Sequence, residues 1–456
     1  MSMRFKRSRG LPRIINTVQI WRLRSFKLAG ALGVSLLTFA PISCRKPVEP
    51  VTITFLDPEG LLDLGNHRLV SDEYLKEFTQ KTGIRVNHLP TPQDDRAQFQ
   101  LESELLKSGG STPDVYGVDT IWSGALSQYL IDLKPYFVAA LPSQDPEVLA
   151  SYMIQGKLVA MPYHPNLGVL YYRTDLLLKY GYSRPPRTWD ELEKMAVRIQ
   201  KGERARGNKN FWGFIWPGTN GEPLSCMGVE WLAGEGGGRI IESDRKISIN
   251  NPNAIHAWER AARWVGWISP PGVLSYTDWD VLNGFWISGN AAFMRGWADY
   301  FQLHPSGTPF RQKAGVTSIP AGQGARSSTL GGYALGVSLA SAHRPEAVKL
   351  VKFLTEKQAQ YEGEYARSEP LNQLQFYELP TMLARRYPWS ERGNEMQGGS
   401  VVSRPSAVAG PQYQAVSRAY VAAVRSVLTR RSTAPEAAAA LEKELVKITG
   451  FDVAGK

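Results

Sequence analysis

Cysteine and histidine are scarce in this chain of 456 residues, which contains two cysteines and six histidines. The histidines, at positions 67, 88, 164, 256, 304 and 343, show none of the short spacings that bind a metal ion. Cys44 ends an apolar N-terminal segment, and Cys226 is the only cysteine after it, so we expect no intramolecular disulfide in the rest of the chain. We therefore expect neither a metal site nor a disulfide.

Sequence motifs of several enzyme classes are also missing. The chain has no G-x-S-x-G elbow, no P-loop, no G-x-G-x-x-G after a strand and no H-E-x-x-H. The glycine-rich "GEGGGR" at 234–239 lacks the Lys-Ser or Lys-Thr of a phosphate-binding loop and predicts a flexible turn. We expect no cofactor, whereas a glycosidase pair of carboxylates stays open, because such pairs come from distant positions.

Acidic residues are absent from the first 43 positions, and this changes the meaning of the net charge of +11. Eight of those charges lie in this short stretch, on Arg4, Lys6, Arg7, Arg9, Arg13, Arg22, Arg24 and Lys27. The rest of the chain carries only +3, which does not indicate a nucleic-acid partner.

Long hydrophobic runs are limited to "LAGALGVSLLTFAPISC", whose apolar part of about 15 residues is short for a membrane span but typical of a signal-peptide core. The pattern resembles a bacterial lipoprotein signal, which implies a signal peptide over 1–43, lipidation of Cys44 and a polar tether over 44–50. An uncleaved anchor helix is the alternative.

The remaining length is enough for two domains or two lobes of one ligand-binding unit. "VTITFL", the helical "SDEYLKEFTQKTG" and "IRVNHL" predict a β-α-β unit, and the alternation of strands and helices continues along the chain. This pattern predicts an α/β fold with a mostly parallel sheet. The tryptophans of "AIHAWERAARWVGWI", such as Trp258, fall on an apolar helix face and are assigned to the core.

A binding site is expected beyond the carboxyl end of the strand "PDVYGVD", because ligands of α/β proteins collect there. Asp119 ends this strand and Trp122 follows in the next turn. A helix N-cap is the alternative role for Asp119.

Six segments then occur in a familiar order: "PDVYGVDTIW", "GKLVAMPYHPNLGVLYYRTDLLLKYGYSRPPRTWDELEKMAVRIQKGE", "NFWGFIWPG", "GNAAFMRGWADY", "STLGGYALGVS" and "EAVKLVKFL". In this order the chain resembles the extracellular solute-binding proteins of sugar ABC transporters, and most of all their trehalose/maltose-binding branch. The resemblance implies a two-lobed periplasmic-binding-protein fold, type II-like, with a ligand cleft between the lobes. Lobe one would take 51–163 and 331–377, and lobe two 164–330 and 378–456.

The resemblance also implies which residues bind the sugar. Asp119 matches an acidic acceptor for sugar hydroxyls, and Trp297 in "RGW" matches a stacking aromatic. Tyr333 in "GGYALG" stands where relatives often have Trp. Arg96 and Glu59 are the matches expected from lobe one, with a surface role as the alternative for both.

Three positions depart from the family pattern. His164 and Asn166 stand where relatives offer an aromatic residue and then Asp, and Asn372 stands where Arg is common. An amide in place of a charged partner weakens the hydrogen bond to a hydroxyl, so a different hydroxyl pattern or a different sugar is expected. The alternatives are a turn role for Asn166 and a framework role for His164.

Three functions are weighed. The first is a monomeric, lipid-anchored binding protein of the periplasm or another extracytoplasmic space, which captures a carbohydrate, expected to be a disaccharide, and delivers it to ABC permease subunits. The second is a secreted glycoside-processing enzyme that uses Asp119 and Glu230, and Glu230 is also a ligand-binding candidate in the first. The third is a carbohydrate sensor or adhesin.

Overall fold

A parallel β-α-β unit opens the part of the chain that the structure, a computed structural model, describes. The described residues are 50–58, 70, 72–92, 94–301, 313–368, 376–377 and 400–455, and they belong to one unit that starts at Pro50. Strand β1 pairs in parallel with β2, with Thr52 opposite Arg85, and the helix between them ends before Gly83, whose φ is +72°. The predicted β-α-β unit is confirmed, whereas the predicted leader, the tether over 44–49 and Cys44 lie outside the described residues.

The strands are β1 (Thr52–Asp57), β2 (Arg85–Pro90), β3 (Val115–Asp119), β4 (Met153–Ile154), β5 (Lys157–Leu158), β6 (Met161–Arg173), β7 (Trp212–Ile215), β8 (Ala291–Trp297), β9 (Ala314–Thr317), β10 (Ser327–Val337), β11 (Phe376–Tyr377) and β12 (Ser400–Val402). The α-helices are α1 (Asp72–Thr82), α2 (Asp95–Ser108), α3 (Ser123–Leu126), α4 (Pro146–Tyr152), α5 (Thr174–Lys179), α6 (Trp189–Ala205), α7 (Glu222–Gly234), α8 (Pro252–Trp264), α9 (Asp278–Leu282), α10 (Arg344–Ser368), α11 (Ser406–Ala409), α12 (Tyr413–Leu428) and α13 (Ala434–Thr449).

Strand β6 changes its partners halfway along its length. Its first part, up to Leu167, pairs antiparallel with β10, whose other neighbour β3 leads on to β1 and β2. From Gly168 onward β6 pairs instead with β8, and from Leu170 also with β9. One continuous strand of 13 residues therefore belongs to two groups of strands. Its antiparallel pairings with β8, β9 and β10 make the sheet mixed, whereas the sequence predicted a mostly parallel one.

Buried tryptophans form much of the core beside α7 and α8. Successive ring centroids lie 5.1 to 5.8 Å apart along the chain of contacts Trp189, Trp264, Trp231 and Trp216. Trp258 is fully buried and its ring meets Tyr420 of α12 at 6.0 Å, which confirms its assignment to the core. Trp267, assigned to the core with it, is instead 44% exposed, because it lies beyond the end of α8, after the turn at Gly266. The tryptophan content thus serves packing more than ligand contact.

The glycine-rich stretch at 234–239 forms turns, as predicted. Gly236 and Gly238 have φ of +75° and +72°, in the left-handed region that favours glycine. A surface pocket of about 600 Å³ lies beside them, lined also by residues 250–253 at the start of α8 and 453–455. Among the described residues, none of those predicted for the binding site lines this pocket.

Candidate ligand-binding site

Three neighbouring strands bring several of the predicted residues side by side. Tyr333 of β10 lies opposite Asp119 of β3 on one side and opposite His164 of β6 on the other. Gly331 lies opposite Asn166 in the same pairing, and Trp297 of β8 lies opposite Gly168. Residues that are paired across antiparallel strands point to the same face, so the sheet gathers these side chains at the place where β6 changes partners. We call Asp119, His164, Asn166, Trp297 and Tyr333 the candidate site.

Asp119 is half-buried at the end of β3. Its Oδ1 accepts a hydrogen bond of 2.9 Å from the backbone N–H of Ile121, so the carboxylate caps the turn that follows β3. Burial raises the pKa of Asp119 to about 6, although the nearby Arg404 opposes that rise. The alternative capping role and an acceptor role are compatible, because the carboxylate has a second oxygen.

Tyr333 and Trp122 form a packed wall beside Asp119. Their rings meet edge to face with centroids 6.3 Å apart, and Phe99 packs on Trp122 at 5.7 Å. Trp122 is only 1% exposed and Tyr333 8%. The Tyr333 hydroxyl donates to Gln98 Oε1 at 3.4 Å. Trp122 therefore supports the site from behind in this structure.

Trp297 is half-buried and held from several sides. The Arg295 guanidinium lies 4.2 Å from the centre of its ring, and Tyr171 donates a hydrogen bond of 2.7 Å to its backbone carbonyl. A side chain at Gly331 would collide with the ring, which shows how closely β10 passes it. The indole is thus a rigid platform with part of its surface open.

His164 and Asn166 lie on the part of β6 that adjoins Trp297. His164 Nε2 is 4.0 Å from Asp299 Oδ2, and both side chains are about one quarter exposed. Asn166 uses Oδ1 to accept from the backbone N–H of Leu167 at 3.0 Å, which is the local role weighed as its alternative. Its amide nitrogen is not used in that bond.

Several acidic residues near the site were missed by the sequence reasoning. Burial, followed by the charges of Asp119 and Glu222, raises the pKa of half-buried Asp95 to about 7. No group among the described residues donates a hydrogen bond to Asp95 Oδ1 or to Asp299 Oδ1. Asp278 receives a 2.6 Å hydrogen bond from Tyr300, and burial raises its pKa. Asp95 directly precedes the predicted Arg96 on α2, and of the two it is Asp95 that is half-buried.

Arg404 was also missed, and it neutralises part of this acidity. Its Nη1 donates to Glu222 Oε2 at 2.8 Å, and its Nη2 donates to the carbonyl of Leu330 at 3.2 Å. Tyr413 donates to the same Glu222 oxygen at 2.8 Å. The pair ties the segment before α11 to α7 and β10. No sequence signal links these residues, because Glu222 and Arg404 lie 182 positions apart.

The remaining predicted residues are not part of the candidate site. Arg96 is exposed on the first turn of α2. Glu230 has no exposed surface and pairs with Arg295 through both of its oxygens, at 3.1 and 2.7 Å. It therefore has a structural partner and no access to a ligand in this structure. Glu59 and Asn372 lie outside the described residues.

The described ranges contain neither a candidate metal cluster nor a helix suited to cross a membrane. No group of three or more His, Cys, Asp or Glu residues within those ranges could hold a metal ion. In the same ranges, no helix combines the length and the apolar character that crossing a membrane requires.

Comparison with known proteins gives a family. Residues 68–361 match the sequence profile of the bacterial extracellular solute-binding proteins. A protein of Deinococcus radiodurans named "Probable ABC transporter-binding protein" is 36% identical over 427 residues, which cover 93% of this chain and 99% of that protein. The maltodextrin-binding protein MdxE of Bacillus subtilis is 24% identical over 273 residues, 58% of this chain and 61% of that protein.

Solved structures agree with the predicted fold class. The maltose-bound MalE3 of T. maritima superimposes with a TM-score of 0.70 at 30% identity, covering 87% of this chain and all of that one. A solute-binding protein of Thermotoga lettingae with bound α-D-tagatose has the same TM-score at 20% identity, covering 88% and 100%. The two-lobed α/β fold and the family resemblance are confirmed. The chain belongs to the family of bacterial extracellular solute-binding proteins.

Proposed function

We propose that the chain binds a carbohydrate, expected to be a disaccharide, at the candidate site. The observation that carries the proposal is the meeting of an open indole, Trp297, with the carboxylate of Asp119 and the amide of Asn166 across neighbouring strands. Aromatic rings stack on the apolar faces of sugar rings, while carboxylates and amides bind the hydroxyls. Asp95 and Asp299 add acceptor oxygens that have no donor among the described residues.

The relatives support the same proposal. The structure with 30% identity holds maltose, and the relative from Deinococcus radiodurans is named for an ABC transporter. We propose that this chain delivers its sugar to the transmembrane subunits of an ABC importer, in a periplasmic or other extracytoplasmic space. The trehalose/maltose branch remains our expectation for the sugar, with the changes at His164 and Asn166 favouring a different hydroxyl pattern.

The pairing of most strands supports a division into two lobes, although β11, which falls in lobe one, pairs with β9 of lobe two. We propose lobe one as 51–163 with 331–377 and lobe two as 164–330 with 378–456. The change of partners within β6, between Leu167 and Gly168, supports a hinge near the first boundary. Closure of the lobes over the sugar would shift the population toward the form that a permease recognises.

The membrane attachment is a separate proposal. A signal peptide over 1–43, a lipid on Cys44 and a tether over 44–50 would hold a monomeric binding protein at the membrane surface. Replacing Cys44 by Ala in the full-length precursor should abolish fatty-acid labelling and release the protein from the membrane fraction. Unchanged labelling would contradict the proposal.

A binding role is preferred to catalysis for a specific reason. The enzyme hypothesis named Asp119 and Glu230 as cleft carboxylates, but both Glu230 oxygens are engaged by Arg295 in the core, so this pair does not supply a second catalytic carboxylate. A sensor or adhesin would share the sugar site and would differ in having no permease. Transport of the bound sugar by cells with and without this chain separates those two roles.

Thermal unfolding across a panel of mono-, di- and trisaccharides and polyols tests the proposed function. A ligand at about 100 times its dissociation constant should stabilise the native state by about 2.7 kcal/mol. Sulfate-free buffer without sugar serves as the baseline. No shift with any member of the panel would contradict carbohydrate binding.

A further inference from the structure

A buried ion pair lies directly behind the Trp297 platform. Arg295 of β8 donates from Nε and Nη2 to the two oxygens of Glu230 on α7, at 3.1 and 2.7 Å. The side chains are 1% and 0% exposed. The two parallel hydrogen bonds fix the plane of the guanidinium, because its donors form a rigid fork.

The ion pair also connects neighbouring secondary-structure elements. Glu230 Oε1 also accepts the backbone N–H of Thr329 at 3.1 Å, so the carboxylate connects α7, β8 and β10. A side chain at Gly168, the residue opposite Trp297 in β6, would collide with both Glu230 and Arg295. The close packing around this glycine leaves the guanidinium little freedom to move.

The guanidinium in turn lies against the indole. The distance from Arg295 Cζ to the centre of the Trp297 ring is 4.2 Å, within the range of a cation–π contact. Arg295 Nη1 is buried without a hydrogen-bond partner among the described residues. A buried ion pair is a weak source of net stability, since desolvation offsets the attraction. The main effect of this pair is therefore to fix the position of the guanidinium.

We infer that Arg295 and Glu230 are positioning residues for Trp297: the ion pair holds the guanidinium against one face of the indole and so orients the other face for stacking on a sugar ring. The inference rests on the proposed function for the sugar itself, whereas the orientation of the indole can be measured without any ligand.

The chain contains a matched control pair. Arg260 of α8 donates from Nε to Glu235 Oε1 at 2.8 Å, with side chains 10% and 1% exposed. A tryptophan is close to this pair as well, because Glu193 accepts from both Arg260 and Trp264. The control pair is thus a largely buried arginine–glutamate contact beside a tryptophan, in which Arg260 also pairs with Asp190 and Glu193.

The experiment uses the chain without its leader, labelled with 5-fluorotryptophan, and assigns the Trp297 fluorine resonance by its loss in Trp297→Phe. We expect Glu230→Gln and Arg295→Lys to shift and broaden that resonance in the absence of sugar, and Glu235→Gln to leave it in place. If Glu230→Gln does not fold, the double variant Arg295→Met, Glu230→Leu replaces the pair by apolar groups of similar volume and is expected to fold. An unmoved Trp297 resonance in the folded pair variants overturns the inference.

Maltose titrations then separate the inference from the proposed function. We expect Glu230→Gln to weaken maltose binding roughly 10-fold and Glu235→Gln less than about twofold. Equal weakening by both variants would assign the pair a general structural role and overturn the inference. Failure of the unmodified chain to bind any panel sugar would contradict the proposed function, while the fluorine spectra would still decide the positioning role.

Discussion

The two sides of the candidate site differ in how they are built. On the first side, Asp95 of α2 and Asp119 of β3 are carboxylates whose pKa values burial raises to about 7 and about 6. On the second side, Trp297 of β8 is an aromatic ring backed by a guanidinium and a closely packed glycine. The first side thus offers acceptors whose charge changes near neutral pH, and the second offers a surface whose shape is fixed.

Because of this difference, one side of the site could bind the hydroxyls of a sugar while the other side binds its apolar face. Burial makes the charged forms of Asp95 and Asp119 costly, so sugar hydroxyls that donate hydrogen bonds to these carboxylates would offset part of that cost. Stacking needs only an oriented ring, so that side can be complete in advance. The following variants test whether the two sides contribute differently.

Removal of the stacking surface should have the largest effect. Trp297→Ala is expected to weaken sugar binding by about 2 to 3 kcal/mol, because it deletes the apolar platform. Calorimetric titration measures the change. Trp267→Ala, at an exposed tryptophan beyond α8, is the control and should leave the affinity unchanged. Equal affinities in the Trp297→Ala variant and the unmodified chain would remove stacking from the account.

Neutralising the first side should have a smaller effect. Asp119→Asn keeps the shape and the turn but loses the charge-assisted hydrogen bond, for an expected loss of about 1 to 2 kcal/mol. Calorimetric titration with the sugar measures this loss of binding free energy. Asp94→Asn, at the N-cap of α2, should be silent, since Asn caps a helix as well as Asp. An unchanged sugar affinity in the Asp119→Asn variant would show that this side does not bind the ligand.

The first side should also make stability depend on pH. The raised pKa values of Asp95 and Asp119 mean that the folded state holds more protons than the unfolded state between about pH 4 and pH 7. The unfolding free energy of the sugar-free protein should therefore fall as pH rises through this range, by on the order of 1 kcal/mol. Urea unfolding at pH 5 and pH 7.5 measures it.

Asp95→Asn supplies the control for the pH experiment, because it removes the titrating group while keeping its size. The difference in unfolding free energy between the two pH values should shrink in this variant. An unchanged difference would show that the carboxyl of Asp95 is not the source.

Arg96 should have the smallest effect. Its side chain is exposed on the first turn of α2, so Arg96→Ala is expected to change sugar affinity by less than about 0.5 kcal/mol. A tenfold loss would return this residue to the site, as the sequence resemblance first implied.

The sequence predicted the parts of the fold that depend on local patterns. The segments "VTITFL", "SDEYLKEFTQKTG" and "IRVNHL" predicted β1, α1 and β2. Asp119 followed from the rule that sites form beyond strand ends, and Trp297 and Tyr333 followed from the resemblance. Strand pairing then brought these residues together, as their neighbouring registers require.

The sequence could not predict contacts between distant positions. Glu230 was proposed as a cleft carboxylate, and its pairing with Arg295, 65 positions away, left no local signal in the sequence. Asp95 and Arg96 are adjacent, yet on a helix their side chains diverge by about 100°, and only packing decides which of them is half-buried. Arg404 became relevant only once its hydrogen bonds to Glu222 and Leu330 were known.

Calorimetric titration of the chain with maltose, trehalose and the rest of the sugar panel, run in parallel on the double variant Asp119→Asn, Trp297→Ala, tests the central claim most directly. We predict saturable binding of one sugar per chain, abolished in a double variant that still unfolds cooperatively. Absence of binding by the unmodified chain, or equal binding by both proteins, would contradict a sugar site shared between the two sides.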